Sequence, residues 1–399
     1  MDALDINPDA DKDMFNEPVH EVFPNPYHLA SQSAIGMDQT YILSLARNCE
    51  KNRLGAALSN ETVALFDLGD GGMTLMKTRL TGAHKSTITG LSFNPVDPNT
   101  FFTSSLDQTV KMWDTREDLS KPARTFVDTT PQTHPHSKPK PLTTFDVNAT
   151  GSHLVAGTEQ VQKDAFLLFW DAREGKLLGG YWDSHEDDLA TVRFHPEDGN
   201  KLASSGTDGI VNVFDLAETS EDDALVTSHN TESSVSRLTW IHDRKKGADG
   251  FDTLAILSHT EELALWQTED NEPELNFSRE DACVAIRRKL TEVCYYVDVH
   301  EAGEDNELLV LAGSSVPSKP ALRFAQVKKN RLKPYADLSG HKTALTRCSV
   351  FDSQTREVFT GGEDGVVCLY RPGVESETAK GGATNVIKSK KKKDRSNPY

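Results

Sequence analysis

Short runs of alternating apolar and polar residues recur through the chain, each closing on an aromatic residue followed by a polar one. ValAlaLeuPheAsp ends at Asp67, ValLysMetTrpAsp at Asp114, LeuLeuPheTrpAsp at Asp171, ValAsnValPheAsp at Asp215, LeuAlaLeuTrpGln at Gln267 and ValCysLeuTyrArg at Arg371. Period-two alternation over five or six residues buries one face and leaves the other polar, which is the mark of a strand. The aromatics Phe66, Trp113, Trp170, Phe214, Trp266 and Tyr370 are spaced 47, 57, 44, 52 and 104 residues apart. The last interval is twice 52, so one unit is expected in degraded form, with its third strand at residues 320–327.

A second regularity is interleaved with the first. His84, His185 and His341 each stand 23 residues before an aspartate, Asp107, Asp208 and Asp364, and each aspartate stands six before an aromatic, Trp113, Phe214 and Tyr370. Asp164 stands six before Trp170 with no histidine 23 residues ahead of it. Between these landmarks the pattern is strand, turn, strand, with breakers such as AsnProValAspProAsn at 94–99 and ProGluAspGlyAsn at 196–200. No segment sustains a 3.6-residue apolar period, so the expected fold class is all-β.

A four-strand unit of ~40–45 residues with Gly-His near its start and Trp-Asp near its end resembles the WD40 repeat, whose radial arrangement is a β-propeller. GlyAlaHis at 82–84, SerHis at 184–185 and GlyHis at 340–341 carry the first signature, and Trp-Asp stands unaltered at 113–114 and 170–171. The resemblance implies a seven-bladed WD40 β-propeller over 27–373, with blades near 41–80, 85–130, 141–182, 188–230, 233–280, 290–335 and 342–373, the sixth of them degenerate. Such a ring closes by borrowing an N-terminal strand, for which 27–33 is the candidate. Residues 156–173, 184–196, 206–215 and 221–227 look like the WD repeat-containing protein 89 family, most clearly from about 154 to 240. The insertion ValGlnLysAsp at 161–164 departs from a regular blade and makes the third blade's long turn a candidate recognition loop.

The resemblance also gives the histidines and aspartates a structural role. In such propellers a His ring, a turn Asp, a strand Ser or Thr and the Trp indole form a buried hydrogen-bonded set inside a blade, implying a network of His84, Asp107 and Trp113, with a serine at 104 or 105, alongside Asp164, Trp170, His185, Asp208, His341 and Asp364. Three repetitions of one spacing favour this over general acid/base pairs. His134 and His136 read as loop decoration, since no cysteine or carboxylate pair accompanies them. The Gly-rich stretches 69–72 and 361–365 lack the Lys-Ser/Thr of a phosphate loop. No nucleophile elbow, kinase motif or zinc-protease helix is present. The expectation is a non-enzymatic protein with no cofactor, metal or small-molecule substrate.

Composition narrows the setting. The 399 residues are 37% hydrophobic and 26% charged, without a run of 18 apolar residues, and residues 1–13 are acidic where a signal peptide would be basic and then apolar. An intracellular protein is expected, in nucleus, cytoplasm or both. Five scattered cysteines, Cys49, Cys283, Cys294, Cys348 and Cys368, form no CxxC pair and read as buried free thiols. The formal net charge of −18 divides into +6 on residues 380–399 and −24 on the rest. Residues 1–26 read as an acidic, largely flexible extension and 374–399 as a disordered basic tail. Lys390, Lys391, Lys392, Lys393 and Arg395 in that tail form a candidate import signal, and the tail is also where weak nucleic-acid contact would fall.

Protein partners are the expected function, with the propeller monomeric outside its complex. TrpAspThrArg (Trp113, Asp114, Arg116) and TrpAspAlaArg (Trp170, Asp171, Arg173) resemble the WDxR box of substrate receptors on cullin-RING ubiquitin ligases, implying an adaptor as one partner. Acidic clusters at 186–188, 221–223, 269–274 and 301–307 all fall in expected turns. Gathered on one rim they would attract a basic client such as a ribosomal protein or histone.

Overall fold

The computed structural model describes residues 18–35, 40–131, 134, 137–242, 252–303, 307–316, 320–338, 341 and 345–373. Among them the short helix α1 (Val19–Val22) and strand β1 (Tyr27–Ala34) precede the first blade, formed by β2 (Ile42–Asn48), β3 (Arg53–Leu58), β4 (Val63–Gly69) and β5 (Gly72–Leu80). Blade 2 is β6 (Ile88–Phe93), β7 (Thr100–Ser105), β8 (Thr109–Asp114) and β9 (Arg124–Val127). Blade 3 is β10 (Leu142–Val147), β11 (His153–Thr158), β12 (Ala165–Asp171) and β13 (Leu177–His185). Blade 4 is β14 (Leu189–Phe194), β15 (Lys201–Gly206), β16 (Ile210–Asp215) and β17 (Leu225–Asn230), with α2 (Glu221–Ala224) before its last strand. Blade 5 is β18 (Val235–Ile241), β19 (Thr253–Ser258), β20 (Leu263–Gln267) and β21 (Leu275–Phe277), followed by α3 (Arg279–Ala285). Blade 6 is β22 (Cys294–Ala302), β23 (Glu307–Ser314), β24 (Ala321–Lys328) and β25 (Arg331–Asp337). Blade 7 joins β26 (Thr346–Phe351), β27 (Val358–Gly362) and β28 (Val366–Pro372) to β1, in the order β1-β28-β27-β26.

The protein is an all-β, seven-bladed propeller of four-stranded antiparallel sheets. The sixth blade, which has no Trp-Asp in its sequence, is a complete sheet like the others. With the strands of a blade called a to d from the axis outward, one rim carries the a–b and c–d loops, and the other carries the b–c turns and the d-to-a connections.

Packing explains why these sheets need one another. Among the described residues the apolar core falls into seven clusters, one in each gap between neighbouring blades. Ala57, Val63 and Leu65 of blade 1 meet Ile88, Leu91, Phe101 and Trp113 of blade 2, and Leu309, Leu311 and Phe324 of blade 6 meet Val358, Cys368 and Tyr370 of blade 7. No blade has a core of its own, so closure of the ring completes every core at once. Each innermost strand also carries one irregularity near its start, as between Ile88 and Gly90 or Val235 and Arg237. Such bulges increase the local twist along the axial channel.

Three features differ from the sequence reading, and a fourth expectation falls on residues outside those described. The end of the stretch expected as a flexible extension is anchored at two points: Phe23 is buried under the Arg323 guanidinium at 4.7 Å, and the Asn25 amide donates to the Tyr335 carbonyl at 3.1 Å. Helix α3 was not anticipated. Ser278 and Asp281 form a reciprocal capping box at its start, and Ala282, Cys283 and Ala285 join the gap between blades 5 and 6. Four cysteines are buried, but Cys49 is exposed. Finally, the tail 374–399, with Lys390, Lys391, Lys392, Lys393 and Arg395, lies outside the described residues.

Candidate interaction surface

The b–c turns fix one rim. In blade 2 the Asp107 carboxylate accepts from the Thr109 N–H (3.2 Å) and hydroxyl (2.6 Å), from the Lys85 N–H (2.9 Å) and from His84 Nδ1 (3.0 Å). One carboxylate thus closes the tight turn and holds the incoming connection. His84 Nε2 lies 2.7 Å from the Thr103 hydroxyl, which accepts from the Trp113 indole N–H at 2.9 Å. A single direction of donation satisfies every member: Trp113 to Thr103, Thr103 to His84, His84 to Asp107. Burial opposes the charged carboxylate, but the hydrogen bonds from His84, Thr109 and Lys85 outweigh it and hold Asp107 well below the ordinary carboxylate range. The hydroxyl is that of Thr103, not of Ser104 or Ser105.

Blade 4 repeats the set without the indole: His185 Nδ1 meets Asp208 at 3.0 Å and Nε2 meets the Ser204 hydroxyl at 2.7 Å, with Phe214 in the aromatic position. Blade 7 brings His341 to Asp364 at 3.1 Å and to the Thr360 hydroxyl at 2.7 Å. There Tyr370 replaces the tryptophan, so no indole N–H occupies Thr360 and its oxygen is open to a proton on His341 Nε2. Burial disfavours the imidazolium, yet the hydrogen bond to Asp364 and the influence of the neighbouring Cys368 prevail and raise His341 to about 10. A raised folded-state value stabilises the fold fully below the unfolded value of ~6.5, and that stability is lost as pH rises through about 10. The thermal midpoint is therefore expected to fall between pH 7 and 10, and His341→Asn to flatten that fall. Parallel pH profiles of the two proteins would contradict the assignment.

The third blade does not join its two candidates. Asp164 closes a backbone bridge with Val161 across Gln162 and Lys163, which have φ of 64° and 89°, and the Trp170 indole donates to the Val127 carbonyl at 2.9 Å. Buried in that blade instead is Lys140, paired with Asp128 and lying 5.7 Å and 5.6 Å from the Phe166 and Trp182 ring centres. The His134 ring packs on Trp182 at 5.3 Å, and His136 lies outside the described residues.

The other rim holds the partner-binding candidates. Arg116 clamps Asp114 of its own box (2.6 Å) and Asp97 of the a–b loop (2.9 Å), which holds the Asp114 carboxyl below its usual range. Asp171 in the third blade accepts the N–H groups of Arg173 (2.8 Å) and Glu174 (2.7 Å), while the exposed Arg173 guanidinium reaches the Thr150 carbonyl at 3.5 Å. The tryptophans of both boxes are interior: Trp113 and Trp170 are buried. The insertion 161–164 falls on the opposite rim from these arginines.

Of the four acidic clusters, 221–223, 269–274 and the described acidic residues of 301–307 (Glu301 and Glu307) lie on the rim of the arginines, and 186–188 lies on the other. Not all their carboxylates are available. Glu301 accepts from His242 N–H (2.7 Å) and Nδ1 (2.8 Å). Glu221 reaches from blade 4 to the outer strand of blade 3, where it accepts from the N–H groups of Trp182 (2.6 Å) and Asp183 (3.1 Å) and from the Ser184 hydroxyl. Along the axis runs a polar channel of about 830 Å³, where Arg237 pairs with Asp298 at 3.5 Å and Arg347 with Glu363 at 2.6 Å. Among the described residues no cluster of His, Cys, Asp and Glu has the composition of a metal site.

Sequence reading missed one recurrent group on the arginine rim. Asn48, Asn94, Asn148, His195 and Asp352 each end an innermost strand, and each side chain accepts backbone N–H groups of the a–b turn, as Asn94 does from Val96 at 3.0 Å and His195 from Asp198 at 2.9 Å. PheAsnPro, ValAsnAla, PheHisPro and PheAspSer at 93, 147, 194 and 351 were the available signal.

Blade number, strand order and the repeated His-Asp turn define a WD40-repeat β-propeller, a protein-binding scaffold. The family description "WD domain, G-beta repeat" matches residues 75–114 and 332–371, each span running from the d strand of one blade through strand c of the next. Over 340 residues, 85% of each chain, the protein is 25% identical to the WD repeat-containing protein 89 homolog of Dictyostelium discoideum. It is 26% identical to the WD repeat-containing protein GTS1 of Arabidopsis thaliana over 71% of this chain and 66% of that one. Over 37% of this chain and 36% of the other it is 26% identical to the guanine nucleotide-binding protein subunit beta of Zea mays.

Proposed function

We propose that this propeller is a non-catalytic scaffold whose a–b and c–d rim takes up a basic segment of a partner protein. The observation that carries the reading is the charge of that rim on blades 4 and 5. Glu197, Asp198, Glu218, Asp222, Glu269, Asp270 and Glu272 are exposed there, and the basic side chain among the described residues is Lys201, held by Asp252 at 3.0 Å. The sequence of 243–251, outside the described residues, adds a net charge of only +1. Such a field speeds encounter with a cationic chain at low salt and weakens as salt screens it. A second reading, attachment to a ligase adaptor, is supported by the exposed guanidinium of Arg173 on the same rim.

Affinity purification of the full chain beside a variant with Glu218, Asp222, Glu269, Asp270 and Glu272 changed to amides separates the two. Basic clients that disappear from the variant, and elute from the parent as salt rises, are the expected result. Clients indifferent to both changes would overturn the first reading. Recovery of a cullin adaptor that is lost on Arg173→Ala would establish the second.

A further inference from the structure

We propose that Ser220 is a phosphorylation site for a protein kinase that selects acidic residues after its acceptor, and that the phosphate loosens the strap by which blade 4 covers the outer edge of blade 3. The c–d connection of blade 4 spans nine residues, 216–224, where blade 1 makes the same turn with two, 70–71. Its Ser220 is exposed and is followed directly by Glu221, Asp222 and Asp223. A kinase whose substrate groove is lined with Lys and Arg reads such a run by charge complementarity. Only Ala224 of α2 is buried, so the segment can extend into a kinase groove without opening the blade.

The strap has a defined grip. The Glu221 carboxylate takes the N–H groups of Trp182 and Asp183 and the Ser184 hydroxyl, all on the outer strand β13. Those N–H groups are on a sheet edge, where an open row of donors invites unwanted strand pairing. Ser220 caps the turn that begins with Glu221: its hydroxyl donates to Asp223 at 2.6 Å and accepts the Asp223 N–H at 3.2 Å. In the modification Ser220 Oγ bonds to the γ-phosphorus of ATP, the bond to the β–γ bridging oxygen breaks, ADP departs and the hydroxyl proton passes to the kinase. The product has lost the donor to Asp223 and carries about −1.5 to −2 charge beside Glu221 and Asp223, which repels the Glu221 carboxylate from its seat.

The full chain incubated with ATP and an acid-directed kinase is expected to take up one phosphate that mass spectrometry places on Ser220, retained in Thr219→Ala and lost in Ser220→Ala. Hydrogen exchange at Trp182 and Asp183 is expected to accelerate about tenfold on phosphorylation. Glu221→Gln, with an unchanged melting curve, should reproduce part of that acceleration without any phosphate. Absence of phosphate on Ser220, or phosphate there with exchange at Trp182 and Asp183 unchanged, would overturn the proposal.

Discussion

A chain starting at Ile35 will not show the cooperative unfolding of the full protein. Strand β1 is the fourth strand of blade 7, paired from Tyr27 opposite Pro372 to Ala34 opposite Val366. It also reaches the first blade, where the Ser31 hydroxyl accepts the Met73 N–H at 3.2 Å. Just ahead of it Phe23 is buried under Arg323 of blade 6. Removing 1–34 therefore unfastens three consecutive blades, bares one edge of β28 and uncovers Tyr370, which is fully buried in the gap between blades 6 and 7. Every blade shares its core with two neighbours, so a loose seam lowers the cost of opening the rest of the ring. The expected result is recovery in the insoluble fraction, or a circular-dichroism midpoint lowered by more than about 10 °C. A synthetic peptide of residues 18–35 should restore part of the transition by pairing with β28. A truncated chain melting like the parent would show that the ring does not depend on this closure.

The blades were legible because the third strand of six blades ends in an aromatic that fills a gap between neighbours, so Phe66, Trp113, Trp170, Phe214, Trp266 and Tyr370 recur at the spacing of the repeat. Closure was legible only through the logic of a ring, since β1 is mostly half-buried and alternates weakly. Helix α3 escaped because seven residues are too few to establish a 3.6-residue period, although the Ser278-to-Asp281 spacing of its cap was there to be read. The network was partly legible. The spacing of 23 between His and Asp reports a real contact in blades 2, 4 and 7, and a hydroxyl at 19 residues from each histidine, Thr103, Ser204 and Thr360, completed the pattern unnoticed. Asp164 shows where spacing misleads. Its distance from Trp170 matches the other blades, but a detour with two left-handed residues precedes it and no histidine arrives to meet it. The division of charge between the rims is a three-dimensional property, because it depends on which end of each strand a loop joins.

Asp107→Ala will cost about 3–4 kcal/mol, far more than an ordinary exposed turn residue. The carboxylate satisfies four donors at once: His84 Nδ1, the Lys85 N–H, and the N–H and hydroxyl of Thr109. Solvent can reach the Lys85 N–H after the change, but the His84 side chain is completely buried, so its N–H would be left with the Thr109 hydroxyl, 3.2 Å away, in place of a charged acceptor. The imidazole is the middle of the chain from Trp113, and freeing it also releases Thr103 from a fixed orientation, so the loss extends beyond one bond. For a ring of this size the midpoint should fall by about 5 °C or more. Asp107→Asn keeps an acceptor for one donor while losing the charge, and should fall between the two. The effect has a sign in pH as well. A carboxyl held below its unfolded value stabilises the fold above about pH 3.8, and that contribution disappears as pH falls toward the folded value. The stabilities of wild type and Asp107→Ala should therefore stay apart from pH 7 down to about pH 4 and converge below it, as measured by chemical denaturation. A gap of constant size would mean that the carboxylate acts only by filling space in the turn, and a gap near zero at pH 7 would remove Asp107 from the forces that hold the second blade.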